Sequence, residues 1–207
     1  SSKDPKEKEH AAGALVNLSC HPDNKTKITK VIKPLIELIE SGTTDEQKIL
    51  ATYILGRLSQ NNPDNQNTIA NKGGIAPLVA LLSETKGATT QKWLIAAALA
   101  NLSHKNLDNQ NAIADAGGIA PLVELLNSGT PIEKKAVAAT IKALSCHNPN
   151  IQKAIAVAGG IAPLVKLLSS KDPKEKEHAA GALVNLSCHP DNKTKITKVI
   201  KPLIELI

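Results

Sequence analysis

Apolar residues along this 207-residue chain fall at helical spacing, in three recurring lengths, and the two-residue alternation of a half-buried strand does not occur. Residues 107–148 show the pattern plainly. LDNQNAIADAGG opens on Asp/Asn capping residues and closes on Gly117-Gly118; IAPLVELLNSG carries Pro121 in its first turn and stops at Gly129; TPIEKKAVAATIKALSCH runs longer, with Pro131 near its start. The spacing predicts a short, a medium and a long helix, and an all-α class.

The three-helix unit repeats. Prolines 34, 77, 121, 163 and 202 sit in KPLIELI, APLVALL, APLVELL, APLVKLL and KPLIELI, at separations of 43, 44, 42 and 39 residues. Leu-Ser pairs at 18, 58, 102, 144 and 186 each close an alanine-rich segment and precede an Asn/Asp/Pro cluster. Such a period means units that bury their apolar faces on their neighbours, an α-solenoid of about five repeats. The expected division of this single solenoid is 1–21 (a third helix), 22–62, 63–106, 107–148, 149–189 and 190–207 (a first and second helix). Residues 1–39 recur without change as residues 169–207, an offset of 168. Drift has blurred the other units, so the identity points to recent duplication or deliberate recombination. The third-helix start and second-helix stop also predict head-to-tail self-association of complementary ends.

One stripe of the long helix varies where the rest is fixed. Counted from the residue before each recurring leucine (Asn17, Arg57, Asn101, Ala143 and Asn185), positions 4, 7 and 11 earlier share one face. Four back stand Gly13, Tyr53, Ala97, Ala139 and Gly181; seven back, His10, Leu50, Leu94, Ala136 and His178; eleven back, Lys6, Glu46, Thr90, Ile132 and Lys174. Two back is always Leu or Ile. Packing fixes one face, and the other is free to bind. Trp93, eight before Asn101, borders the stripe where Glu9, Ile49, Lys135 and Glu177 stand in the other units. Its indole is either a ligand contact or packing over a neighbouring helix.

Composition narrows the interior. One Trp, one Tyr and no Phe or Met leave Ala, Leu, Ile and Val to fill the core. No stretch has the roughly 18 consecutive apolar residues of a membrane span, which predicts no membrane insertion. Cys20, Cys146 and Cys188 occupy one repeat position and are spread along the array. Unpaired thiols predict a reducing, cytoplasmic or nuclear setting. The Cys-His pairs they begin cannot converge on a tetrahedral metal site. No catalytic triad, carboxylate pair or phosphate loop occurs, so neither enzyme nor cofactor is expected, and the scarcity of aromatic rings speaks against nucleic acid. The net charge of +6 includes Lys25, Lys27, Lys30 and Lys33 and their copies, a run read as a solvated face. There the spacing from Ile28 to Pro34 is 6 residues rather than 8 and lacks Gly-Gly, which predicts a differently built junction.

The GGIAPLV blocks at 73–79, 117–123 and 159–165, AAGALVNLS and AAALANLS at 11–19 and 95–103, and DNQNTIA and DNQNAIA at 64–70 and 108–114 resemble the armadillo repeat family. HEAT repeats lack the Gly-Gly turn. The resemblance implies a right-handed superhelix whose third helices line a concave groove for an extended peptide. It further implies that Asn17, Asn101 and Asn185 hydrogen-bond the peptide backbone, a role suited to an amide that both donates and accepts. Arg57 and Ala143 interrupt that ladder. The tryptophans of importin-type members are replaced by Gly, Tyr or Ala, with Tyr53 alone aromatic. Lys6, His10, Arg57, Lys105 and Lys135 give the groove a mildly basic cast, and the duplication repeats Lys6 and His10 as Lys174 and His178. The expectation is a non-catalytic scaffold, nearer the β-catenin and plant or vacuolar members, that binds an acidic or mixed segment.

Overall fold

The computed structural model describes residues 28–84 and 91–197, together with Ala14 and Leu18. Among them are twelve α-helices and no strand. The order is α1 (Ile32–Ser41), α2 (Asp45–Ser59), α3 (Pro63–Asn71), α4 (Ile75–Ser83), α5 (Lys92–Ser103), α6 (Leu107–Asp115), α7 (Ile119–Ser128), α8 (Pro131–Leu144), α9 (Pro149–Val157), α10 (Ile161–Leu167), α11 (Pro173–Ser187) and α12 (Pro190–Thr197). The architecture is an all-α solenoid. First helices are α3, α6, α9 and α12; second helices α1, α4, α7 and α10; third helices α2, α5, α8 and α11. Each third helix packs on the next, α2 on α5, α5 on α8 and α8 on α11.

Each helix starts and stops for a local reason. Asn62, Asn106 and Asn148 cap α3, α6 and α9 by accepting the backbone N–H of Asn65, Asn109 and Ile151. Thr130 and Glu133 form a reciprocal capping box on α8. Between first and second helices, Gly73, Gly117 and Gly159 take φ of +80°, +83° and +88°, which only glycine adopts without strain. The glycine that follows is held by space instead. A Cβ on Gly118 would lie 2.8 Å from the Ile113 carbonyl oxygen. Where the Gly-Gly pair is missing, a 3-10 turn over Ile28–Val31 runs straight into α1, the altered junction that the shorter spacing predicts.

The core is aliphatic. The position two residues before Arg57, Asn101, Ala143 and Asn185, which is Leu55, Leu99, Ile141 and Leu183, is buried in every described unit. Second helices contribute Leu35, Leu78, Leu122 and Leu164, and first helices contribute Ile69, Ile113, Ile151 with Ile155, and Ile196. Small residues let third helices approach closely. Gly56 has no room for more, since a Cβ there would meet that of Ala98 at 3.1 Å.

Buried amides connect the units. The last carbonyls of a helix have no intrahelical partner, and the first helices supply donors to those of the third helices. Asn65 Nδ2 donates to the Leu58 carbonyl at 2.9 Å, and Asn109 Nδ2 to that of Leu102 at 2.9 Å. Gln66 Nε2 lies 3.3 Å from the Ser59 carbonyl of the preceding repeat and 2.8 Å from the Asn101 carbonyl of its own. Gln110 repeats this toward Ser103 and Ala143 at 3.3 and 3.0 Å. Asn192 closes the series by donating to Leu186 and Gln152, both at 3.0 Å. Asn106 and Asn148 in turn donate to Gln66 Oε1 and Gln110 Oε1.

Replacing Gln110 with Ala takes a donor from the Ser103 and Ala143 carbonyls and leaves the Asn148 amide with Asn111 Oδ1 as its acceptor, so we expect a loss of about 1–3 kcal/mol. Asn67→Ala removes one exposed acceptor of Asn106 and should cost less than about 1 kcal/mol. Urea unfolding of both variants checks the difference, and equal midpoints would contradict it.

Candidate functional site

The varying stripe lies along α2, α5, α8 and α11. Its described members Leu50, Tyr53, Arg57, Leu94, Ala97, Asn101, Ala136, Ala139, Ala143, His178, Gly181 and Asn185 are all half-buried, while Glu46, Ile132 and Lys174 are exposed. These positions, neither core nor fully solvated, continue over four adjacent helices as one partly covered stripe. Lys6, His10 and Asn17, expected to extend it, lie outside the described residues.

Asn101 and Asn185 are set in the same way. The Nδ2 of Asn101 donates to the Gly56 carbonyl at 3.0 Å, and that of Asn185 to the Lys142 carbonyl at 2.9 Å. Each amide therefore clasps the third helix before it. A structural role of this kind is one of the two that an asparagine near a helix end can fill. One N–H is spent, and among the described residues the Oδ1 accepts nothing. The clasp leaves an acceptor and a second donor side by side, oriented by the scaffold. Arg57, at the same position of α2, donates from Nη1 to Gln60 Oε1 at 2.9 Å. Ala143 offers no side-chain polar group; its carbonyl is used by Gln110.

Charge along the groove is more balanced than the lysine positions suggest. Lys135 pairs with Asp172 at 2.9 Å and Lys142 with Glu177 at 3.4 Å, each linking α8 to the next third helix or its cap. The hydrogen bond from Lys135 is the largest influence on Asp172 and holds its carboxyl below the usual range. Lys105 belongs to the turn after α5, with φ of +55°, and not to the stripe. Trp93, the second residue of α5, is half-buried, between the two readings its sequence position allows.

The Nδ1 of His178 is buried and has no hydrogen-bond partner among the described residues. Burial pushes its pKa below the ordinary 6.5; Glu177 opposes this, and Lys142, Lys174 and Lys135 reinforce it. The ring is neutral at pH 7.

The sequence reading took the DNQN runs as helix starts and missed Asn65, Gln66, Asn109, Gln110, Gln152 and Asn192 as buried connectors. A partial signal is present: amides stand 6 and 7 residues after Ser59 and Ser103 and 7 after Ser145, while Asn192 stands 5 after Ser187.

Fold and groove together define the class, an α-solenoid of stacked three-helix units. Residues 147–188 match the family model of the Armadillo/beta-catenin-like repeat. This stretch is an armadillo repeat, and the chain has the fold of armadillo solenoids. No curated protein sequence matches the chain. Among solved structures, an engineered protein from the Northeast Structural Genomics Consortium is 29% identical, with a TM-score of 0.84 over 99% of this chain and 81% of that one. A designed armadillo repeat protein in complex with the peptide (KR)4 is 21% identical, with a TM-score of 0.88 over 100% and 87% of the two chains. Computationally designed armadillo repeat proteins for modular peptide recognition are 23% identical, with a TM-score of 0.84 over 95% and 83%. Among the described residues, no helix is long and apolar enough to cross a membrane.

The His178 environment makes a pH prediction. Its pKa is lowered on folding, so the stability held by the neutral ring is complete above pH 6.5 and drains away as pH falls toward the folded value. Urea midpoints measured from pH 7.5 down to 5 should fall more steeply for the native chain than for His178→Gln. Parallel curves would refute this assignment.

Proposed function

We propose that the stripe along the third helices binds an extended peptide segment of a partner protein, with Asn101 and Asn185 holding its backbone. The clasp on Asn101 and Asn185 carries this reading. Each amide is pre-oriented by one hydrogen bond to the preceding helix and presents its Oδ1 and second N–H to a peptide N–H and C=O. Fixing those rotamers in advance removes part of the entropy cost of binding. Asn17, whose surroundings in sequence are identical to those of Asn185, extends the ladder on this reading, as do Lys6 and His10 with their copies Lys174 and His178.

Tyr53, Arg57 and Trp93 supply side-chain contacts toward one end of the groove. The partner segment is acidic or mixed, and the pairing of Lys135 and Lys142 with carboxylates favours mixed charge around α8 and α11. The designed armadillo protein in complex with (KR)4 supports peptide binding by this fold. The same basic sequence is a poor fit here, because the positions that importin-type members fill with tryptophan are Tyr53, Ala97, Ala139 and Gly181. The role is non-catalytic.

A peptide array read by binding of the labelled chain, followed by titration of the best binder against Trp93 fluorescence, tests the proposal. Asn101→Ala should weaken that binder roughly fivefold to tenfold, the worth of one to two hydrogen bonds. Its own unfolding curve, lowered by about 1 kcal/mol through loss of the Gly56 clasp, separates binding from folding. An unchanged affinity in Asn101→Ala would sink the reading.

A further inference from the structure

One cationic side chain of the protein already lies along the stripe. A Cβ on Gly181 would stand 2.8 Å from both Cδ and Cε of Lys142 and 3.3 Å from its Nζ. The lysine stem therefore crosses from α8 onto α11 and rests over Gly181. Its ammonium ends 3.4 Å from Glu177 Oε1, one turn earlier on α11. The carbonyl of the same lysine accepts the Asn185 amide at 2.9 Å. The stem thus runs beside a group proposed above to hold a peptide backbone.

The earlier steps of the array have no such crossing residue. Lys142 stands one residue before Ala143, and its counterparts before Arg57 and Asn101 are Gly56 and Ala100. The positions that would receive a stem on α5 and α8 are Ala97 and Ala139 rather than glycine. Among the described residues, only the step from α8 to α11 sets a long side chain at this position against a residue without a Cβ. The match is chemically specific. Methylenes lie on the half-buried Gly181, and the ammonium meets a carboxylate. Lysine and arginine share that form, an apolar stem with a charged head. The other carboxylate of this step, Asp172, is held by Lys135 at 2.9 Å, which leaves Glu177 as the acceptor.

We infer that Gly181 and Glu177 form a subsite for one basic side chain of the bound segment, and that Lys142 fills it in place of the ligand. The inference rests on the peptide-binding reading of the stripe and deepens it, since Lys142 becomes the residue that sets specificity at this step. While its stem lies over Gly181, an incoming lysine or arginine meets filled space and a like charge. Withdrawing the stem is cheap. The two paired side chains are 41% and 63% exposed, and an ion pair that open to water shifts a population by no more than about fivefold. The step is therefore closed but displaceable, and shortening residue 142 opens it. A segment of mixed charge then places its basic residue here, against Glu177, and its acidic residues elsewhere along the stripe.

The probe is a dye-labelled (KR)4 peptide, titrated by fluorescence anisotropy against the full-length chain and its variants. Lys142→Ala should bind it roughly fivefold to tenfold more tightly than the native chain does, through release of the hollow and of the like charge. Two controls separate these effects from a general change in charge. Lys142→Met loses the ammonium but keeps an unbranched stem over Gly181, and Lys166→Ala removes an exposed lysine from α10. Each should gain clearly less than Lys142→Ala. Adding Glu177→Gln to Lys142→Ala should cancel most of the gain, whereas adding Glu124→Gln, an exposed carboxylate on α7, should not. A Lys142→Ala chain with a native-like urea midpoint that binds no better than Lys142→Met or Lys166→Ala overturns the inference. So does a gain that Glu177→Gln leaves intact. The peptide-binding reading stands or falls separately, on the array and on Asn101→Ala: an array binder weakened by Asn101→Ala, together with no gain in Lys142→Ala, would remove the subsite and keep the groove.

Discussion

The solenoid depends on how the carbonyls at the ends of its third helices are satisfied. Those helices stop next to the interior of the array, where an unpaired carbonyl is costly. Water cannot serve carbonyls packed beneath the next repeat. Gln66 and Gln110 do, each joining the third helix of the preceding repeat to the third helix of its own. A backbone requirement at each helix end thereby becomes the link between neighbours. The aliphatic core supplies most of the burial, but apolar contact alone is non-directional. The amides add direction and fix how far one unit is displaced from the last.

That displacement in turn places the groove. Once consecutive third helices are set at a fixed offset, the residues on their shared face form a stripe, and Gly56 against Ala98 brings the first pair close. The same spacing puts the Gly56 and Lys142 carbonyls within reach of Asn101 and Asn185. Site geometry and array geometry are therefore one arrangement. This explains how a stripe with few aromatic rings can still hold polar groups in fixed orientations.

Much of this was legible in the sequence, for reasons that can be located. The helices follow from capping residues, Gly-Gly stops and period, all local physics, and the altered junction before α1 was visible as two missing residues and absent glycines. The stripe was legible because packing positions are held constant while it varies. The buried amides were not, because hydropathy treats Asn65 and Gln66 as surface residues and gives no credit for carbonyls waiting at the end of another helix. Nor could spacing show that Lys135 and Lys142 meet Asp172 and Glu177. Those pairs join residues 37 and 35 positions apart, and only the stacking of α11 on α8 brings them together.

Asn101 and Asn185 belong at once to the groove and to the struts between turns of the coil. Flexing the coil must lengthen or shorten the same hydrogen bonds that aim these amides outward. The array is in this sense a spring whose gauge is the surface proposed for recognition. A load that straightens it would detune the grip on a ligand, and a ligand seated across several turns would stiffen the spring.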